Sequence, residues 1–268
     1  MASDRASQFE IKYASHLLTQ ESGRARLSTA GTDNYTTTLV IGRLSADEER
    51  TRWVLEKLHN IDSLQLYVVD DPKAAGPHLE KNHGREAAVY LKYIVEHYDE
   101  LHDITFFWHA DEQVWHNNML LGWDSVQTIN RMDRHHIIET GYVPSRCDHW
   151  PGCPQWIRFD PSKAEHHLDP HRLEEMFTPD LFSQLFPNST DFPPYFSGTC
   201  CSQFALSRDQ IRTRPKETYE AILDWVLEYE SDDRSGQMLE YTWPYIFTGK
   251  GSVCPPMDVS RFIRYFLL

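Results

Sequence analysis

The chain has 268 residues, a formal net charge of −14, 40% hydrophobic and 13% aromatic content. That supports the packed core of one large domain, excludes wholesale disorder and argues against a broad nucleic-acid footprint. It holds no apolar run of the roughly 18 residues a transmembrane helix needs, and MASDRASQFEIKYASH lacks the apolar stretch of a secretion signal. Residues 1–35 show no period and read as a flexible N-terminal arm ahead of a single α/β domain over 36–268.

The β-rich run TTTLVIGRL (36–44) predicts the first core strand, and Asp47–His59 a helix with Trp53, Leu55 and Leu58 as apolar contacts. A second strand spans 64–71 and closes on Asp70 and Asp71. A helix over 84–101 follows, with Ala87, Leu91, Ile94, Tyr98 and Leu101 on one face. The third strand, 104–109, carries the run ITFFW. Strands alternating with helices predict a mostly parallel sheet flanked by helices. Residues 144–197 are rich in proline, cysteine and histidine and read as a long irregular insertion or lid without its own core. Ser207 and Gln210 have capping-box spacing for a short helix. Pro215 opens the next helix, with Tyr219, Ile222, Leu223 and Val226 as its stripe. A last helix, 235–247, buries Leu239, Trp243, Ile246 and Phe247.

The chemistry concentrates after the third strand. His109, Asp111, Glu112 and His116 follow a buried run, and ligands of open α/β sheets bind beyond the carboxyl ends of strands. If the strand persists, His109 and Asp111 share a face, as base and orienter or as metal ligands; otherwise the polar residues face water. Asp70 and Asp71 read either as a paired-carboxylate site or as a solvated turn before Pro72. Glu86 suits a helix first turn, whereas Arg85 opposes the macrodipole and needs an anion or carboxylate to explain it. Glu240 borders an apolar stripe, so it is either a desolvated general base or half of an ion pair.

The five cysteines are an odd number in a large chain and read as reduced thiols of a cytoplasmic protein. Cys200 and Cys201 include a possible nucleophile, the alternative being small buried residues. Cys147, His149 and Cys153 offer zinc-type ligands at a spacing unusual for structural zinc, and no metal is expected. Arg208, Arg212, Arg214 and Lys216 form the densest basic cluster, with a second at Arg24, Arg26, Arg43, Arg50 and Arg52.

Several long segments together resemble a mostly fungal family described as of unknown function: GREAAVYLKYIVEHYDEL, FFWH with a following WHN, GYV with PGCP, CCSQFALSRDQIRTRP and SGQMLEYTWPYIF. The layout is similar to the nucleotide-sugar glycosyltransferase fold, a Rossmann-like single domain. In those enzymes an Asp-x-Asp motif after a central strand holds a metal and a diphosphate. Here His109, Ala110 and Asp111 occupy that place, and the first aspartate is missing. The chain is also similar in size to the fungal arginine-containing cyclodipeptide synthases, a likeness carried by no motif. That resemblance implies a tRNA-dependent enzyme of secondary metabolism that condenses arginyl-tRNA with a second aminoacyl-tRNA into a cyclo-Arg-Xaa diketopiperazine, without a cofactor. It implies His109, Glu240 and Glu86 as catalytic groups. Asp70, Asp71, Arg85, Asp111, Glu112, His116, Cys200, Cys201 and Arg208 would then bind substrate. Aminoacyl-tRNAs would be the partners, met by the basic clusters, and no membrane is involved. A nucleotide-sugar glycosyltransferase and a non-catalytic binding protein on the same fold stand as alternatives.

Overall fold

The computed structural model describes residues 34–158, 178–186 and 192–256. The expected N-terminal arm lies almost wholly outside the described residues, as do Arg24 and Arg26. In chain order the elements are β1 (Thr37–Arg43), α1 (Arg52–Lys57), β2 (Ser63–Val68), α2 (Glu86–His97) and β3 (Ile104–Trp108). Next come α3 (Ser125–Arg131), α4 (Arg134–Thr140), β4 (Tyr142–Pro144), β5 (Ile157–Arg158), α5 (Thr178–Leu185) and β6 (Tyr195–Gly198). The chain ends through β7 (Phe204–Ser207), α6 (Arg208–Ile211), α7 (Lys216–Glu228), α8 (Asp232–Thr248) and β8 (Ser252–Val253).

A five-stranded sheet in the order β2-β1-β3-β7-β4 forms the middle of the molecule. β1 pairs parallel with β2 and β3, whereas β7 runs antiparallel to both β3 and β4. The sheet is therefore mixed: four strands share one direction and β7 opposes them. Both faces are covered, which is why ITFFW is buried throughout. Phe107, Val40, Phe204 and Leu206 pack with α2, α7 and α8. On the other face Ile104, Phe106, Trp108, Leu39 and Ile41 pack with α1, α3 and α4.

α1 is shorter than expected: two 3-10 turns, Ser45–Asp47 and Glu49–Thr51, take up its first half. Trp53 is buried as foreseen, but Leu55 is 74% exposed and contributes nothing to the core. α2 buries Ala87 through Leu91 consecutively because the sheet lies on one side of it and α7 and α8 on the other. Ser207 caps α6 by accepting from the Gln210 amide, as its spacing predicted, although that helix is one turn long.

The described residues of the segment expected as an irregular insertion, 144–158, 178–186 and 192–197, are more regular than its composition suggested. β5, β6 and β8 form a second, three-stranded sheet, and Trp156, Ile157, Phe182 and Phe196 pack with Met238 and Tyr241 of α8 in a third cluster. The run HHLDPH (166–171) lies outside the described residues. The expectation of reduced thiols is corrected. Cys153 is disulfide-bonded to Cys254 across a separation of 101 residues, and Cys200 to Cys201, leaving Cys147 free. Local spacing could not show this, because Cys153 and Cys254 meet only when the second sheet forms.

Gly84 fixes where α2 begins. Its φ is +76°, and a Cβ there would lie 2.0 Å from Cγ1 of Val226 on α7. Gly84→Ala combines a left-handed backbone penalty with overpacking, so it should destabilise the protein by about 2–4 kcal/mol in urea unfolding. A loss under about 0.5 kcal/mol would mean that α2 and α7 are not in close contact there.

Candidate functional site

β2, β1 and β3 leave the sheet at one rim, and β7 enters at that same rim because it runs the other way. Order β2-β1-β3 places a topological switch point between β1 and β3, where clefts open in such sheets. The loop after β3, the turn before β7, the loop after β4 and the first turn of α2 therefore converge.

Strand β3 ends at Trp108, and the loop splits its polar residues between two sides. His109 continues the parity of Phe107, toward α2. Asp111 turns toward α1, where Arg50 grips it with Nε at 3.0 Å and Nη2 at 2.7 Å from Oδ1. Beside it Lys57 Nζ meets Glu112 at 2.8 Å, and Trp53 Nε1 donates to the Ala110 carbonyl at 2.8 Å. Asp111 and Glu112 thus stitch the β1 and β3 loops together, and the shared face expected for His109 and Asp111 does not form.

His109 and His116 form the centre. Their Nδ1 atoms are 3.1 Å apart, a distance that requires one ring to donate and the other to accept, so the two Nδ1 positions hold a single proton. Burial holds His109 below the ordinary histidine value. Burial, helped by the neighbouring His109 and Arg146, brings His116 down to about 4. His109 Nε2 is shielded from water and has no hydrogen-bond partner, and Glu86 is its first source of electrostatic attraction. The Tyr90 hydroxyl, one turn into α2 and also under the influence of Glu86, is likewise buried without a partner.

A buried polar knot holds this pair. Gln203 Oε1 accepts from the His109 amide at 3.2 Å, while Nε2 donates to the His116 carbonyl at 3.1 Å and to Asn117 Oδ1 at 2.9 Å. Asn117 in turn donates to Ser125 Oγ and to the carbonyls of Glu112 and Trp123. Gln203, Asn117 and Ser125 are at most 2% exposed, so every polar atom there must be matched internally.

The third wall is sulfur and charge. Arg146, 4% exposed and just beyond β4, directs Nη1 at Cys200 Sγ (2.7 Å) and Cys201 Sγ (3.3 Å). Its guanidinium also lies 5.5 Å from the Trp115 ring centroid. Glu240, half-buried on α8, accepts from the Cys201 amide at 2.7 Å. Arg85 is at the N-cap of α2 with φ of 52° and pairs with Asp233 at 2.8 Å, its aliphatic stem lying over Gly236. The anion that Arg85 required is thus a carboxylate of α8. Glu86 and Glu240 both act electrostatically on Arg85, so the first turn of α2 and the middle of α8 approach it together.

Three sequence candidates lie elsewhere. Asp70 accepts from the Ser45 amide and hydroxyl at 2.7 and 3.0 Å, and Asp71 accepts from the Lys73 amide at 2.9 Å; both are exposed turn formers. Arg208 pairs with Asp103 at 3.0 Å, and Asp103 immediately precedes β3, so this pair sits at the opposite end of the sheet. Its neighbours Arg212 and Arg214 are spent on the carbonyls of Tyr98, Asp99, Tyr245 and Ile246. Cys147, His149 and Cys153 do not form a ligand set. Cys153 is in a disulfide, His149 Nε2 contacts the Pro255 carbonyl at 2.5 Å, and burial pushes the Cys147 thiol up to about 12. Among the described residues, Cys200, Cys201 and Glu240 form a group whose ligand atoms all lie within 4.8 Å of one another.

Sequence reasoning missed Arg146, Gln203, Asn117 and Tyr90. The signals available were an arginine inside a proline- and cysteine-rich loop, and a glutamine between a cysteine pair and a strand.

The depressed histidines have a pH signature. An unfolded chain protonates them near 6.5, whereas the folded site resists until about 4 at His116. The unfolded state thus binds more protons in that interval. The contribution is complete above pH 6.5 and falls away as pH drops toward 4. Imidazole nitrogen spectra should show His116 neutral at about pH 5.5, and His116→Gln should flatten the loss of thermal midpoint over that interval. Protonation of His116 near its ordinary value would contradict the buried pair.

No curated protein and no solved structure matches the chain. Residues 39–261 match a family profile described as "Protein of unknown function (DUF3431)". They contain every side chain of the rim cluster and all of both sheets but the start of β1, so the chain belongs to the DUF3431 family.

Proposed function

We propose that this DUF3431 chain is a group-transfer enzyme in which His109 acts as general base at the carboxyl rim of the sheet. One observation carries the reading: His109 Nε2 is shielded and unpartnered on a ring that burial keeps neutral. With Nδ1–H donating to His116, Nε2 presents a lone pair to a substrate N–H or O–H. Glu86 is placed to stabilise the imidazolium once it forms, and the partnerless Nε of Arg146 is a buried donor for a developing oxyanion.

Among the reactions the sequence suggests, aminoacyl condensation to an arginine-containing cyclodipeptide suits these groups best. The esters are already activated, so the site needs only to orient two of them, remove an ammonium proton and stabilise a tetrahedral oxyanion. Glu86 and Glu240 supply carboxylates for the guanidinium of an arginyl group. Cys200 and Cys201 are bonded to each other, so neither is a free nucleophile in this form, and direct amine attack is the simpler route. The basic cluster at Arg208, Arg212 and Arg214 is engaged internally, so an acceptor stem must meet another surface.

Nucleotide-sugar transfer on a glycosyltransferase-like fold is the second reading, favoured by the switch-point topology. It is weakened at Asp111, which Arg50 already holds. No helix of the described residues is long and apolar enough to cross a membrane. A cytoplasmic location goes with the aminoacyl-tRNA pool, whereas the Cys153–Cys254 bond weighs toward an oxidising compartment.

Expression in a bacterial host without added substrate should yield a cyclo-Arg-Xaa mass in culture extracts, and His109→Gln should reduce it at least ~100-fold. Undiminished product in His109→Gln would remove the base from this reading. Folded protein that makes no diketopiperazine but gains thermal stability from a nucleoside diphosphate with manganese would replace it with sugar transfer. A binding protein would show neither, and would keep its partner after loss of His109.

A further inference from the structure

We propose that Cys200 and Cys201 are a reversible dithiol–disulfide pair that exchanges two electrons with a small dithiol. The pair is bonded in the turn before β7. Its sulfurs face a buried guanidinium, with Arg146 Nη1 at 2.7 and 3.3 Å. Nη2 of the same guanidinium is matched by the Asp148 carboxylate at 3.1 Å and the Trp150 carbonyl at 3.3 Å. Nη1 is instead directed at the disulfide, whose sulfurs are weak acceptors where a thiolate would be a strong one. Nη1 is thus placed to hold a thiolate that exists only in the reduced state. In the bonded form Arg146 Nε is still without a partner. The Glu240 carboxylate lies within 4.8 Å of both sulfurs.

The exchange balances as follows. A thiolate of the external dithiol attacks the Cys201 sulfur and forms a mixed disulfide, and Cys200 leaves as a thiolate held by Arg146. The second thiol of the reagent then attacks its own sulfur in the mixed disulfide. A cyclic disulfide departs, and Cys201 leaves with the bonding pair and takes up a proton. Two electrons and one proton enter the protein; the reagent's second proton goes to solvent. Cys200 is 1% and Cys201 5% exposed, so the natural reductant is a small molecule rather than another protein's active site.

The same turn governs the crevice. Cys201 and Ser202 both have positive φ, 84° and 49°, and the Cys201 amide holds Glu240 while Ser202 Oγ accepts from Trp243. Next along the chain, Gln203 clamps His109 and His116. Opening the bond removes a covalent constraint from this turn, two residues before Gln203, and so changes the surroundings of the histidine pair. A divalent metal on Cys200, Cys201 and Glu240 is the competing use. The Arg146 cation beside a would-be ligand sulfur opposes it.

No enzymatic activity enters the test. Full-length oxidised protein is equilibrated without denaturant in buffers of reduced and oxidised dithiothreitol, alkylated, and mapped by peptide mass. Cys200 and Cys201 should gain and lose two alkyl groups together and reversibly. Tryptophan fluorescence and the His109 and His116 imidazole signals should move with the same midpoint. The Cys153–Cys254 bond is followed through its own peptides. With one thiolate formed, the midpoint should shift by about 30 mV per pH unit near neutrality, against about 60 mV if both sulfurs are protonated. Arg146→Met should lower the reduction equilibrium constant about tenfold, about 30 mV, and Arg146→Lys should recover part of it. If Arg146→Met does not fold, the wild-type pH slope decides alone. Reduction only after denaturation, free thiols at both positions under oxidising conditions, zinc protection of both from alkylation, or the two-proton slope would each overturn the proposal.

Discussion

The rim of the sheet depends on the buried amide of Gln203, which is the point where strand β7 reports to the loop after β3. Its oxygen and nitrogen together satisfy the His109 amide, the His116 carbonyl and the Asn117 side chain. Each such bond is worth only about 1 kcal/mol net, but a buried partner left unmatched costs about 1–3 kcal/mol. The knot is therefore specific rather than strongly stabilising: any other arrangement of the 109–117 loop leaves several of these groups unpaired. This connection exists because β7 is antiparallel, which brings its first residue to the end of β3, with Phe204 opposite Phe107.

A second junction joins the starts of α2 and α8. The Gly84 amide donates to Asp232, Arg85 pairs with Asp233, and His83 Nε2 contacts the Tyr229 carbonyl at 2.8 Å. Gly236 lets the Arg85 stem lie against α8. Together these contacts set the positions of Glu86 and Glu240 relative to the histidines, so the acidic side of the crevice is carried by rigid helices while the imidazoles sit on a loop held by the knot. Precision in a site follows from such support.

Much of the fold was legible in the chain. Periodicity placed the cores of β1, β2, β3, α2, α7 and α8, because amphipathic patterns report which residues must leave water. It did not show the direction of β7, since a short apolar run such as FALS reads the same way in either orientation. Nor did it show the second sheet, whose strands are two to four residues long and draw their stability from the aromatic cluster around Phe182 and Phe196.

The site was legible where chemistry and position coincided. His109 and His116 stood out as polar groups discharged from a buried strand, and Cys200, Cys201, Glu86 and Glu240 as reactive types near it. Asp70, Asp71 and Arg208 had the same chemical credentials, yet they belong to turns and to the far end of the sheet. The sequence by itself determined which segments are buried and which residue types can do acid–base or sulfur chemistry, because hydrophobicity and the kind of ionisable group are properties of single residues and their local spacing. Tertiary structure alone decided which of those groups meet. Contacts such as Arg146 with Cys200 or Gln203 with His109 join positions tens of residues apart, and only the order and direction of the strands bring them together.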